Sequence, residues 1–174
     1  MKFTAPLKFP AKLEGREPWA FVVLPKNISA QLPRRGRTTV AGTVNGEAFQ
    51  QTLEPDGKLS HWLRIDQTLL AKLGDASEVS IELEAIKEPE PNVPTNLRKS
   101  LDSNAAAKAT WDATTTIARV DWIHWIESAK QSATRTKRHG SAIDMLEQGK
   151  QRVCCFDPSG HYSNSLSAPE ERED

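Results

Sequence analysis

The chain has 174 residues, and its 23 basic and 23 acidic side chains give a formal net charge of zero. That balance argues against bulk affinity for nucleic acid or a membrane surface, although a local basic patch survives it. With 37% hydrophobic and 26% charged residues, the chain can bury a core, which excludes a wholly disordered polymer. No apolar run long enough to span a bilayer is present, and the opening MKFTAPLKFPAKLEG lacks the continuous apolar stretch of a secretory signal. The two cysteines, Cys154 and Cys155, are adjacent, which argues against a disulfide framework and points to a reducing, cytoplasmic setting.

The first half reads as short strands separated by turn signals. Phe3 to Leu13 predicts an edge strand interrupted by Pro6 and Pro10. Trp19 to Leu24, WAFVVL, is the clearest buried strand. Ile28 to Leu32 predicts a helical turn capped by Asn27, and Pro33 to Arg37 a loop. Thr38 to Val44 and Glu47 to Leu53 form a hairpin around Asn45-Gly46. Pro55-Asp56-Gly57 predicts a second turn before a strand from Leu59 to Ile65. Asp66 caps a short helix that stops at Gly74. Glu78 to Ile86 alternates cleanly, with Val79, Ile81, Leu83 and Ala85 facing in. Many short strands with few helices among them predict a small barrel over residues 1–88.

The prolines of EPEPNVP mark a linker, and with the helix opened by Thr95 they fill residues 89–113. Asn104 to Trp111 continues that helix weakly or forms a loop. A helical hairpin follows over 114–150. Trp122, Trp125, Ile126 and Ala129 recur at helical spacing on one face. Such a face predicts core anchors against the β domain; the alternative is an exposed aromatic binding stripe. Thr134 is the expected cap of the second helix, whose buried stripe is Ala142, Ile143 and Leu146 and whose end is Gly149. Gly140 in its middle suggests close packing or a local irregularity. Residues 151–174 read as a polar tail, expected to be dispensable for folding from about Pro158 onward, with its acidic end PEERED disordered.

Two cationic groups stand out. Arg34, Arg35 and Arg37 flank Gly36 in PRRGR, which reads as a solvated loop or as an anion-binding lip. Lys130, Arg135 and Arg138, with Lys137 and His139, gather where the two helices meet. Cations beside the start of a helix oppose its dipole unless something compensates. They therefore read as a solvated face, as an anion site, or as a clamp already occupied by an acidic side chain. His61 beside Trp62 and His124 between two tryptophans lack any recognisable nucleophile or orienting carboxylate, which argues against a hydrolytic triad. Cys154, Cys155 and His161 supply too few well-placed ligands for zinc, so no metal or cofactor is expected.

Trp125-Ile126, Ala129-Lys130, Thr134-Arg135, Arg138, Leu146 and Gly149-Lys150 together resemble the YdeI/OmpD-associated, or bacteriocin-protection, proteins. The CCFDPSGHYSNSL segment also resembles one in that family, with no role implied. Trp19, Leu24-Pro25, Val40-Ala41-Gly42, Asn45-Gly46, Phe49 and Glu54-Pro55-Asp56-Gly57 are similar to a domain of unknown function that precedes the helical motif in many such proteins. The resemblance implies an α+β chain, a small N-terminal double-split β-barrel followed by a C-terminal helical hairpin. It further implies a bacterial, cytoplasmic binding or stress-resistance protein rather than an enzyme. Two rivals stand beside that reading: a phosphate binder, for a small molecule or a nucleic acid, that uses the six cations, and an enzyme built on His61 or a cysteine. The expected partner is a small anionic ligand or a protein.

Overall fold

A computed structural model describes all residues from 1 to 174. In chain order its elements are β1 (Lys2–Pro6), β2 (Ala20–Val23), α1 (Lys26–Ser29), β3 (Thr38–Val44), β4 (Glu47–Pro55), β5 (His61–Ile65), α2 (Gln67–Leu73) and β6 (Glu78–Ala85). Four helices follow: α3 (Thr95–Asp102), α4 (Ala105–Ala113), α5 (Thr116–Glu127) and α6 (Ser132–Glu147). The chain divides into two units, residues 1–87 with 159–174, and residues 88–158.

The first unit is built by its turns. Asn45 and Gly46 have φ of 48° and 84°, the doubly left-handed pair that a two-residue hairpin requires. They set β3 against β4 from Val44↔Glu47 to Thr38↔Leu53. The Asn45 side chain also accepts the Ser80 amide at 2.8 Å, tying the hairpin tip to β6. At the second turn Asp56 accepts the amides of Lys58 and Ser60, each at 2.8 Å, and β4 turns into β5 through Pro55↔His61. The strand order is β1-β6-β3-β4-β5-β2. Beyond β1, Lys8 and Phe21 exchange backbone bonds of 2.9 and 2.8 Å, so the sheet curls into a nearly closed antiparallel barrel.

Inward residues such as Val22, Val40, Leu53, Leu63, Ile65 and Ile81 fill this barrel and are essentially excluded from solvent. Helix α2, capped by Asp66 through the Leu69 amide at 2.8 Å, adds Leu69 and Leu73 to the core. Gly42 in β3 is obligatory for a different reason from the turn glycines: a Cβ there would collide with the Glu82 carbonyl of β6. Two expectations need correction here. Asn27 does not cap α1; it lies inside the helix, Pro25 takes the cap position, and no side-chain bond closes that end. The chain end is not a free tail. The Ala11 and Arg172 amides bond to the Glu170 and Phe9 carbonyls, each at 2.8 Å, and Pro10 bridges Glu171. Leu166 packs so near Gly57 and Gly160 that neither position has room for a Cβ.

The second unit has its own core. Leu97, Leu101, Ala107, Trp111, Trp122, Ile123, Ala142 and Leu146 form it, so Trp122 is anchored within the helical unit rather than on the β domain as expected. Trp125 is only half-buried and meets Trp122 edge-on at 6.4 Å. Asn104 caps a distinct helix α4 by accepting the Ala107 amide at 3.0 Å, where the sequence suggested a fading helix or loop. Thr115 caps α5 through the Ala118 amide at 3.1 Å. Helix α6 starts earlier than expected: Gln131 holds the cap position, and Thr134 lies inside the first turn. The proline stretch is fixed as well, because Glu90 pairs with Arg119 at 2.6 Å and Val93 packs on the core. No helix is long and apolar enough to cross a membrane.

Candidate functional site

The six cations singled out in the sequence fall three in each unit. In the barrel unit, Arg35 donates to the Leu59 carbonyl at 2.8 Å and Arg37 to the Glu54 carboxylate at 2.9 Å. Arg34 is half-buried in the same loop. Beneath the loop lies His61, fully buried. The Gly36 carbonyl, 2.9 Å from Nε2, can only accept, so Nε2 carries the proton. The Ser29 hydroxyl then donates to Nδ1 at 2.7 Å. Burial is the main cause that lowers the pKa of His61, which keeps the ring neutral. Ser29 and His61 resemble a nucleophile and its base, but both are sealed from solvent and the second ring nitrogen is held by a carbonyl. Their arrangement is a strut that shapes the arginine loop.

In the helical unit, Arg135 and Arg138 face the end of the preceding helix. Arg138 Nη1 donates to the Trp125 carbonyl at 2.6 Å and to Ser128 Oγ at 3.2 Å, with its guanidinium 5.4 Å from the Trp125 ring centroid. Arg135 Nη1 donates to the carbonyls of Ala129 and Lys130 at 2.8 and 3.2 Å. The last carbonyls of a helix lack intrahelical partners and carry the negative end of its dipole. The two arginines of α6 thus neutralise the end of α5 and the turn after it, which supplies the compensation their position demands. Lys130 is exposed in that turn.

Beside this junction α3, α5 and α6 enclose a cavity of about 460 Å³. Its apolar wall comes from Leu97, Ile123 and Ile126, and its polar side from Asn96, Ser100, Glu127, Arg135 and His139. Leu97 and Ile123 belong to the core, so the wall is rigidly set. Ser100 Oγ and His139 Nε2 lie 2.8 Å apart, linking α3 to α6. His139 Nδ1 is buried without a hydrogen-bond partner. A small cavity with a fixed apolar wall, one guanidinium and several hydrogen-bonding groups suits a compact organic molecule with a polar or anionic end. Of the sequence-derived candidates, Arg135 lines this cavity. Glu127, one of the acidic side chains that the sequence offers as an occupant of the cationic junction, lines it too. Asn96 and Ser100 carried no signal in the sequence, because each is an ordinary polar residue until two helices bring it beside an arginine.

His124 is buried against Phe156, with ring centroids 5.3 Å apart, in an edge-on contact. Its place is structural, like that of His61. No group of three or more histidine, cysteine or acidic side chains comes together in a metal-binding arrangement.

Residues 3–84 match the family described as "Domain of unknown function (DUF1905)". Residues 90–149 match the family described as "Bacteriocin-protection, YdeI or OmpD-Associated". No curated protein matches the chain. Every residue lining the α3, α5 and α6 cavity lies within the second matched segment. The chain thus pairs an N-terminal segment similar to the DUF1905 family with a C-terminal segment similar to the YdeI/OmpD-associated, bacteriocin-protection family.

Proposed function

We propose that the helical unit captures a small organic anion in the α3, α5 and α6 cavity, and that the protein protects the bacterial cytoplasm by binding rather than by catalysis. The observation that carries this reading is the lining itself. Leu97, Ile123 and Ile126 offer apolar surface in the same cavity as Arg135, Ser100, His139 and the single carboxylate of Glu127. A carboxylate or phosphate meets the remaining guanidinium donors of Arg135, whose Nη1 is committed to the turn carbonyls. His139 Nδ1 supplies a further polar contact, since a buried imidazole nitrogen without a partner gains from one. The protective role follows the description of the family matched by the same segment. The cytoplasmic setting is supported by two free, exposed thiols, which suit a reducing compartment.

Calorimetric titration with a panel of short carboxylates and phosphate monoesters tests the reading. Wild type should bind at least one member, and Ser100→Trp, which fills the cavity from α3, should weaken that binding at least tenfold. Arg135→Met should weaken it comparably while Arg135→Lys retains part of it. The reading fails if no member binds, or if Ser100→Trp binds as wild type does.

A further inference from the structure

Adjacent side chains in an extended strand point to opposite sides, yet the Sγ atoms of Cys154 and Cys155 lie only 3.2 Å apart. The cause is the backbone of Cys155, whose φ of 61° is left-handed, a region that non-glycine residues seldom enter. The segment around the pair is pinned to the helical unit on both sides. Upstream, the Trp122 indole donates to the Gln151 carbonyl at 3.4 Å, and Val153 packs on the core. Downstream, Phe156 stands edge-on to the buried His124. Between these anchors both thiols are exposed to solvent. The chain thus holds two sulfurs together, on one side, where a reagent reaches them.

We infer that Cys154 and Cys155 form a reversible dithiol site that exchanges with low-molecular-weight disulfides and closes to a disulfide between adjacent residues. In the first step the thiolate of one cysteine attacks a sulfur of the small disulfide. A protein–small-molecule mixed disulfide forms, and one small thiolate leaves. The second cysteine then loses its proton and attacks the protein sulfur of the mixed disulfide, expelling the other small thiol. The protein dithiol is oxidised, and one small disulfide is reduced to two small thiols.

The product is labile by construction. Cα atoms across a trans peptide are about 3.8 Å apart, below the range of about 4.4–6.8 Å that ordinary disulfides occupy. Ring closure therefore stores strain, and strained, exposed disulfides are the readily reduced ones. The pair is suited to sensing or exchange, not to stapling the fold. The close Cys154 sulfur also raises the pKa of the Cys155 thiol above its ordinary value. Exchange should accordingly quicken as pH rises.

The test is intact-mass analysis of the folded full chain after incubation with oxidised glutathione, with parallel counting of free thiols. Wild type should lose two hydrogens and both titratable thiols, carry no glutathione adduct, and return to its starting mass with dithiothreitol. Cys154→Ser and Cys155→Ser should each stop at a mixed disulfide. A wild-type chain that keeps its thiols, stays glutathionylated, or links to a second chain overturns the inference.

Discussion

Replacing Arg138 by Met should destabilise the helical unit by about 1.5 kcal/mol, the lower end of what a hydrogen bond from a charged group contributes. Methionine keeps an apolar stem near the Trp125 ring but removes the donor that reaches the Trp125 carbonyl at 2.6 Å. The loss stays at the lower end because Ser128 Oγ also donates to that carbonyl, at 3.2 Å, and remains after the substitution. For a unit of this size, about 1 kcal/mol moves the midpoint of thermal unfolding by roughly 4–8 °C. The variant should therefore melt roughly 6–12 °C lower, on the same scaling. Helical circular dichroism follows the relevant unit, since four of the longest helices belong to it. Arg138→Lys keeps the charge at the end of α5 and should recover part of the loss. An Arg138→Met chain that melts within a degree of wild type would refute the capping role and return Arg138 to the pool of groups available for ligands.

Other perturbations separate the remaining elements. Gly140→Ala should stabilise α6 by about 1 kcal/mol, because a Cβ there meets nothing within 4 Å and glycine is the weaker helix former; urea unfolding of the two chains compares them directly. His61 has a folded pKa below its unfolded value of about 6.5. Its contribution is thus complete above that value and is lost as pH falls through the folded pKa, so barrel stability should drop from pH 8 to 5 and His61→Phe should flatten that dependence. Removing residues 159–174 should lower the melting point of the barrel, since the Ala11–Glu170 and Phe9–Arg172 backbone bonds go with them; an unchanged melt would show that the segment merely rests there.

Much of the barrel was legible because its signals are local. Asn45-Gly46 needs two left-handed residues, Asp66 needs the Leu69 amide, and Val79, Ile81 and Leu83 alternate on one strand. Each is decided within a few residues. The missed features depend on partners far along the chain. The stretch AAAKATWDA offers a helix little apolar periodicity, and it becomes α4 because Trp111 and Ala107 have a core to enter. Residues 170–172 join the barrel through backbone groups, which leave no trace in the side-chain pattern. Gly140 in mid-helix suggests close packing or a local irregularity, and the open space beside it removes the first of these.

The cationic junction shows the same division at the level of the site. Arg135 and Arg138 stand near the start of α6, where the dipole of their own helix repels them. From sequence alone that cost calls for an anion. The structure provides one source of negative potential that sequence patterns do not display, the carbonyls at the end of α5 and in the turn after it. Capping uses one nitrogen of each guanidinium, and a guanidinium has five donors. Arg138 directs its planar group onto Trp125, away from the cavity lining, while Arg135 stands on that lining. Structural and binding roles are therefore compatible in Arg135: the bond to the Ala129 carbonyl fixes the fork, and a fixed fork loses less entropy when it takes a carboxylate. Arg135→Met must then show two effects at once, a lower melting point and weaker anion binding. Arg138→Met must show only the first.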